Sequence, residues 1–177
     1  REKYDSLTVA TEQGLGDTLH FSRFIHDISE QYQGTRITLV CPGKLIPLLR
    51  HSFQLLDRVL SCEEAAQMGE EHNIVPAMSL PYFCGIHPHA TKAPSNYIRL
   101  DERIARRSKA VIRDGLGEGK LIIALNWKGN PETEKSNLRG RSMNLEDYRP
   151  LADALPDAVF LSIQKGHGSD ELEQCSF

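Results

Sequence analysis

The chain has 177 residues, 40% of them hydrophobic and 25% charged. This is ordinary globular usage, enough for one domain or one domain plus part of a second, and it argues against intrinsic disorder. A formal net charge of −3 removes the broad positive surface of a general nucleic-acid binder. No apolar run approaches the ~18 residues that span a bilayer. The charged start, Arg1-Glu2-Lys3-Tyr4-Asp5, is not a secretory leader, and without an initiator Met the sequence reads as an excised piece of a longer chain. Cys41, Cys62, Cys84 and Cys175 show no C-x-x-C pair and no zinc-finger spacing. That pattern points to reduced thiols, buried as small apolar residues, and to a cytoplasmic setting; one or two disulfides are the alternative.

Along the chain, short apolar runs alternate with helical patterns, which predicts an α/β fold. Leu7 to Ala10 reads as a buried strand. After Gly14 and Gly16 a helix begins, with Phe21, Phe24, Ile25, Ile28 and Tyr32 on one stripe of 3.6-residue period, and Gly34 stops it. Arg36 to Cys41 is a β-branched strand halted by Pro42-Gly43. Residues 44–53 form a short helix with Pro47 in its first turn, where a missing N–H costs least. Asp57 to Leu60 is a third strand and Ile74 to Met78 a weak fourth. Residues 79–96, rich in Pro, Ser and Thr, read as a long loop. Asp101 then caps a basic helix over 102–113, most simply a solvated face. Residues 114–120 carry Gly115, Gly117 and Gly119 and read as a linker. The predicted organisation is an N-terminal α/β domain over 1–113, the linker, and a partial second α/β unit over 121–177. That unit contains strands Leu121 to Asn126 and Ala158 to Ile163, a polar loop over 128–142, and a helix near 145–155 that Pro150 delays or kinks.

In open α/β sheets, ligands collect at the carboxyl ends of strands, and three segments stand there. In Thr11-Glu12-Gln13-Gly14-Leu15-Gly16-Asp17-Thr18, Gly14 and Gly16 permit a tight turn and close approach of a ligand to the backbone. Leu19 stands where a dinucleotide fingerprint needs its third glycine, and no Lys-Ser/Thr follows to make a Walker loop. Asp17 would repel a phosphate, so the loop suits a hydroxyl-bearing ligand. Asp17 itself reads either as a helix cap or as a general base for a sugar hydroxyl. The second segment, Asn126-Trp127-Lys128-Gly129-Asn130-Pro131, runs on to Lys135, Arg139, Arg141 and Ser142. Its cations and backbone donors suit a departing diphosphate, or else form a solvated loop. The third, Gln164-Lys165-Gly166-His167-Gly168, adds Lys165 as a further phosphate contact. His87-Pro88-His89 is thin support for a metal, and no G-x-S-x-G elbow marks a hydrolase.

These blocks resemble a known family. Glu12-Gln13-Gly14-Leu15-Gly16-Asp17-Thr18-Leu19 is similar to the N-terminal motif of glycosyltransferases often fused to tetratricopeptide repeats, relatives of the ADP-heptose–lipopolysaccharide heptosyltransferases. Asn126 to Pro131, Arg141-Ser142 and Ser162 to Gly166 resemble three further blocks of that group, in the same order. The resemblance implies a GT-B arrangement: two Rossmann-like domains across a cleft, acceptor on the first and nucleotide-sugar on the second. It makes Asp17 the catalytic base, with Gly14 and Gly16 in the acceptor loop. Lys128, Gly129, Asn130, Arg139, Arg141, Ser142 and Lys165 become the nucleotide-diphosphate contacts. No metal or other cofactor is implied beyond the nucleotide-sugar substrate; a glycan or protein is the acceptor, and tetratricopeptide repeats are expected upstream. Arg141-Ser142-Met143 replaces the Lys-x-Trp-Pro block of true heptosyltransferases, which argues against heptose as the sugar. The family's last donor-holding block would fall beyond Phe177, so the expected enzyme is a longer protein and this piece alone is expected to be inactive. The alternative is a non-catalytic GT-B-like binding or scaffold module. A nicotinamide dehydrogenase is disfavoured by Leu19 and by Cys41 at the end of the second strand, where an acidic residue is needed.

Overall fold

Leu7, Thr8 and Val9 are all buried in β1 (Ser6–Ala10), so both faces of that strand are covered, as a parallel sheet requires. The computed structural model describes residues 4–69, 73–87, 96–116, 119–136 and 142–177. The chain divides into two compact units, Arg1–Ala105 and Arg106–Phe177.

In the first unit β1 is flanked by β2 (Arg36–Val40), then β3 (Arg58–Leu60), on one side and β4 (Ile74–Pro76) on the other, all parallel. The register sets Val59, Leu39, Val9 and Val75 in one row across the sheet, each at most 7% exposed. Helices α1 (Leu15–Ser22), α2 (Ile25–Gln31) and α3 (Ile46–Ser52) join the strands. Phe24, Ile25, Ile28 and Leu49 from these segments, with Phe53, complete the same core. Burying each such side chain stabilises the unit by about 1.5–3 kcal/mol.

The expected single helix to Tyr32 is broken. The Ser22 hydroxyl donates to the Leu19 carbonyl at 2.8 Å, and the Phe24 N–H bonds three residues back to Phe21 at 3.1 Å. Tightening of this kind ends an α-helix. The apolar stripe survives because α2 restarts with Phe24, Ile25 and Ile28 still facing the core.

Two short helices of the first unit lie where none was expected. The first, α4 (Cys62–Ala66), buries no residue and so has no apolar period to read; a reciprocal Ser61–Glu64 capping box starts it. The other, α5 (Leu80–Phe83), shortens the expected loop over 79–96: Pro81 sits in its first turn, and fully buried Leu80 anchors it to the core. Residues 88–95 of that loop lie outside the described residues.

Asp101 accepts the Arg103 N–H at 2.8 Å and opens α6 (Glu102–Leu116). This helix runs through Asp114 and Gly115 into the segment read as a linker, whose residues 117–118 lie outside the description.

The second unit pairs β5 (Ile122–Leu125) with β6 (Val159–Ser162) in parallel. Between them come α7 (Pro131–Ser136), a 3₁₀ turn over Leu145–Tyr148, and α8 (Arg149–Ala154). Pro150 lies in the first turn of α8, so the delayed start expected around it is what occurs. The helix α7 replaces part of the expected polar loop: the Asn130 side chain accepts the Glu132 N–H at 3.0 Å and Pro131 follows as first helical residue. The buried centre is small, consisting of Leu125, Trp127 and Leu145 with half-buried neighbours.

All four cysteines are free, so the disulfide alternative is not realised. Cys41 is buried as expected, whereas Cys62 is exposed. Burial, reinforced by Cys62 nearby, pushes the Cys41 thiol up to about 11, and burial pushes Cys84 up to about 11. Only the thiolate is nucleophilic. Alkylation at mildly alkaline pH, followed by peptide mass spectrometry, should therefore label Cys62 first, with Cys41 and Cys84 slower by roughly tenfold or more.

Candidate functional site

At β1 the strand order turns, because β2 and β3 lie to one side and β4 to the other. A crevice forms above the carboxyl ends of strands at such a switch point. The segment from Thr11 to Gly14 emerges there and leads into α1. Backbone bonds from Thr11 N to Val40 O at 3.0 Å and from Cys41 N to Leu60 O at 2.9 Å hold the neighbouring strand ends level with it.

Gly14 is the helix cap, with φ −68° and ψ 179°, a conformation open to any residue. The backbone at this position therefore does not itself require glycine. What these glycines leave is uncovered backbone: a side chain at Gly16 would meet nothing within 4 Å. Asp17 stands in the first turn of α1, past the cap position, with its side chain exposed to solvent. It is thus not the N-cap of the helix. Its Oδ2 lies 3.9 Å from where a Cβ on Gly14 would be, so the carboxylate leans back over the glycine loop.

Glu12 heads the first motif without a role assigned to it by sequence, and its Oε2 accepts the Met78 N–H at 3.3 Å. That bond ties the loop after β1 to the turn after β4. No local signal announces it, since the partners are 66 residues apart and meet only because β1 and β4 are neighbours. Thr18, beside Asp17, is 2% exposed, and its hydroxyl has no hydrogen-bond partner among the described residues.

In the second unit the loops following β5 and β6 meet because the two strands are adjacent, and Gln164 is their hub. Its Oε1 accepts from Asn126 Nδ2 at 2.9 Å and from the Trp127 and Lys128 N–H groups at 3.0 Å. Its Nε2 donates to the carbonyls of Lys128 at 3.3 Å and His167 at 2.7 Å. The Trp127 indole donates to the Gly168 carbonyl at 3.1 Å. Lys128 Nζ donates to Asn144 Oδ1 at 3.0 Å and pairs with Glu171 Oε1 at 2.9 Å. The Gly129 N–H bonds Ser142 Oγ at 2.9 Å, and that hydroxyl donates to Glu134.

The structure therefore gathers Asn126–Asn130, Ser142 and Gln164–Gly168 into one cluster. In it Lys128, Gly129, Asn130 and Ser142 already have protein partners, whereas Lys165 is exposed. Arg139, Arg141 and the side chain of Lys135 lie outside the described residues. Asn144 and Glu171 are members that sequence reasoning did not name. Their roles depend on which loop lies alongside which, and only the capping pattern Asn144-x-x-Asp147 had a local signature.

The Leu145 N–H at 2.7 Å, and after it Lys128, hold the Glu171 carboxyl below the usual carboxylate range. A carboxylate depressed in the folded state contributes stability that is present above its unfolded pKa of about 4.3 and lost as pH falls through the folded value. Glu171→Gln should accordingly flatten part of the acid limb of the stability profile. The check is thermal unfolding of both proteins in steps from neutral pH downward, read by the fluorescence of Trp127, the one tryptophan in the chain.

Among the described residues no three His, Cys, Asp or Glu side chains converge as a metal site, and His89 of the His-Pro-His motif lies outside them. No helix of the described residues is long and apolar enough to cross a membrane. In comparisons with known proteins, no family model matches the chain, and no curated protein or solved structure matches it significantly.

Proposed function

We propose that this chain is part of a metal-independent glycosyltransferase of GT-B type, related to the glycosyltransferases that carry tetratricopeptide repeats. It would move a sugar from a nucleoside-diphosphate donor to a hydroxyl acceptor. The observation that carries the reading is the position of Asp17: an exposed carboxylate beside open glycine backbone, at the carboxyl edge and switch point of a parallel sheet. In the proposed step, Asp17 takes the acceptor hydroxyl proton as that oxygen attacks the anomeric carbon. The bond from that carbon to the phosphate oxygen breaks with its electron pair going to the diphosphate, and the configuration inverts. Lys165, Arg139 and Arg141 would steady the leaving charge, as would Lys128 once it exchanges Glu171 for phosphate. Gly129, Asn130 and Ser142 would shape that loop.

One observation favours a second reading, a binding or scaffold module without chemistry: the donors of Trp127, Lys128 and Gly129 are spent on internal partners. Calorimetric titration of the natural full-length protein with a panel of nucleoside-diphosphate sugars, paired with a transfer assay in EDTA, separates the two. Donor binding with chelator-resistant transfer is the expected result. Absence of nucleotide-sugar binding and of transfer, together with tight binding of a protein partner, would establish the scaffold instead.

A further inference from the structure

The helix α6 (Glu102–Leu116) is a 15-residue helix with no buried residue. At 100° per residue its side chains sort cleanly into two arcs. Ile104, Val111, Ile112 and Leu116 share one with small residues; Arg103, Arg106, Arg107, Lys109 and Arg113 share the other. Solvated helices usually hide the apolar arc. Here Ile104 is 64% and Val111 66% exposed, while Ile112 and Leu116 are half-buried.

We propose that α6 is an interfacial helix that docks on an anionic lipid surface, apolar arc inward and cations at the headgroups. Charge complementarity carries the choice of partner. Between Glu102 and Leu116 there are five cations and two carboxylates, in a chain whose formal net charge is −3, so positive charge is concentrated on this helix. The apolar arc holds branched aliphatic residues and no aromatic anchor of the kind that locks into a protein pocket. A bilayer interface accepts such an arc without shape complementarity, while long arginine stems let the charges reach the headgroups. At about 1.5 Å per residue the helix offers an edge of roughly 22 Å lying in the interface plane.

The test is co-sedimentation of the protein with phosphatidylcholine vesicles and with phosphatidylcholine–phosphatidylglycerol vesicles, at low and high salt. Binding is expected to the anionic vesicles alone and to weaken with salt. Arg103→Gln/Arg107→Gln/Arg113→Gln should lower the partition coefficient by roughly fivefold per arginine, on the order of a hundredfold together. Ile104→Ser/Val111→Ser should lower it by about tenfold or more. Both variants change exposed positions, and unchanged circular dichroism and thermal unfolding would show that they fold. Equal binding to neutral vesicles, no binding to anionic ones, or wild-type binding by a folded variant would overturn the proposal. So would a dimer in solution that Ile104→Ser/Val111→Ser abolishes, since the arc would then serve a second copy. Equally tight binding of polyglutamate in place of vesicles would assign the helix to an acidic protein.

Discussion

Asp17→Asn is expected to lower sugar transfer by about 10²–10⁴-fold, the usual contribution of a positioned general base, while thermal unfolding stays close to wild type. The amide keeps the shape of the carboxylate and cannot take the proton. Stability should hold because the side chain is exposed and the cap of α1 is Gly14. Loss of a negative charge from the first helical turn costs only about 0.3–1 kcal/mol through the helix dipole. The measurement is steady-state transfer by the natural full-length protein, with donor affinity determined separately. An unaltered dissociation constant for the nucleotide-sugar alongside the fall in turnover assigns Asp17 to the chemistry. Turnover within a few-fold of wild type would remove it from the mechanism.

Gly168→Ala should destabilise the second unit by about 3 kcal/mol, combining left-handed backbone strain with overpacking. Gly168 has φ +86°, and a Cβ there would collide with the aliphatic stem of Lys128 and come within 3.3 Å of Trp127 Nε1. The stem is poorly placed to yield, because its amino group is tied to Asn144 and Glu171. A double-mutant cycle with Lys128→Ala divides the effect: once most of the stem is gone, the alanine should cost roughly the 1–2 kcal/mol of the backbone strain. Gln164→Leu attacks the same hub from the other side. It keeps the bulk but strands the N–H groups of Trp127 and Lys128, with an expected cost of about 2–4 kcal/mol. Urea unfolding followed by Trp127 fluorescence reports on this unit, since the chain's one tryptophan lies in its core. Wild-type midpoints for both variants would mean the cluster does not hold the unit together.

The elements read correctly from sequence are those whose burial leaves a local pattern. The strands β1 and β2 are continuous β-branched or aliphatic runs because both faces are covered, and Pro42-Gly43 ends the second visibly. The α2 stripe is legible for the same reason, whereas the break before it is not: one serine hydroxyl and one shortened backbone bond interrupt a helix without disturbing its period. Helix α4 buries no residue and α7 has no apolar side chain beyond Pro131, so periodicity is silent about them and only their caps, Ser61 with Glu64 and Asn130 before Pro131, mark them.

Residue chemistry alone decides that an α/β chain of this composition carries a glycine-aspartate loop after its first strand and a cation-rich loop after a later one. It also decides that the thiols are not a zinc motif. The tertiary structure decides the partners. It alone makes β4, not β2, the strand across the switch point from Asp17 and brings Glu12 to Met78. By placing the ends of β5 and β6 side by side, it turns a glutamine 36 residues beyond Lys128 into that residue's anchor and gives Lys128 to Glu171. The reason is physical: hydrogen bonds between loops are set by strand order and register, and those follow from how the whole sheet buries its apolar rows.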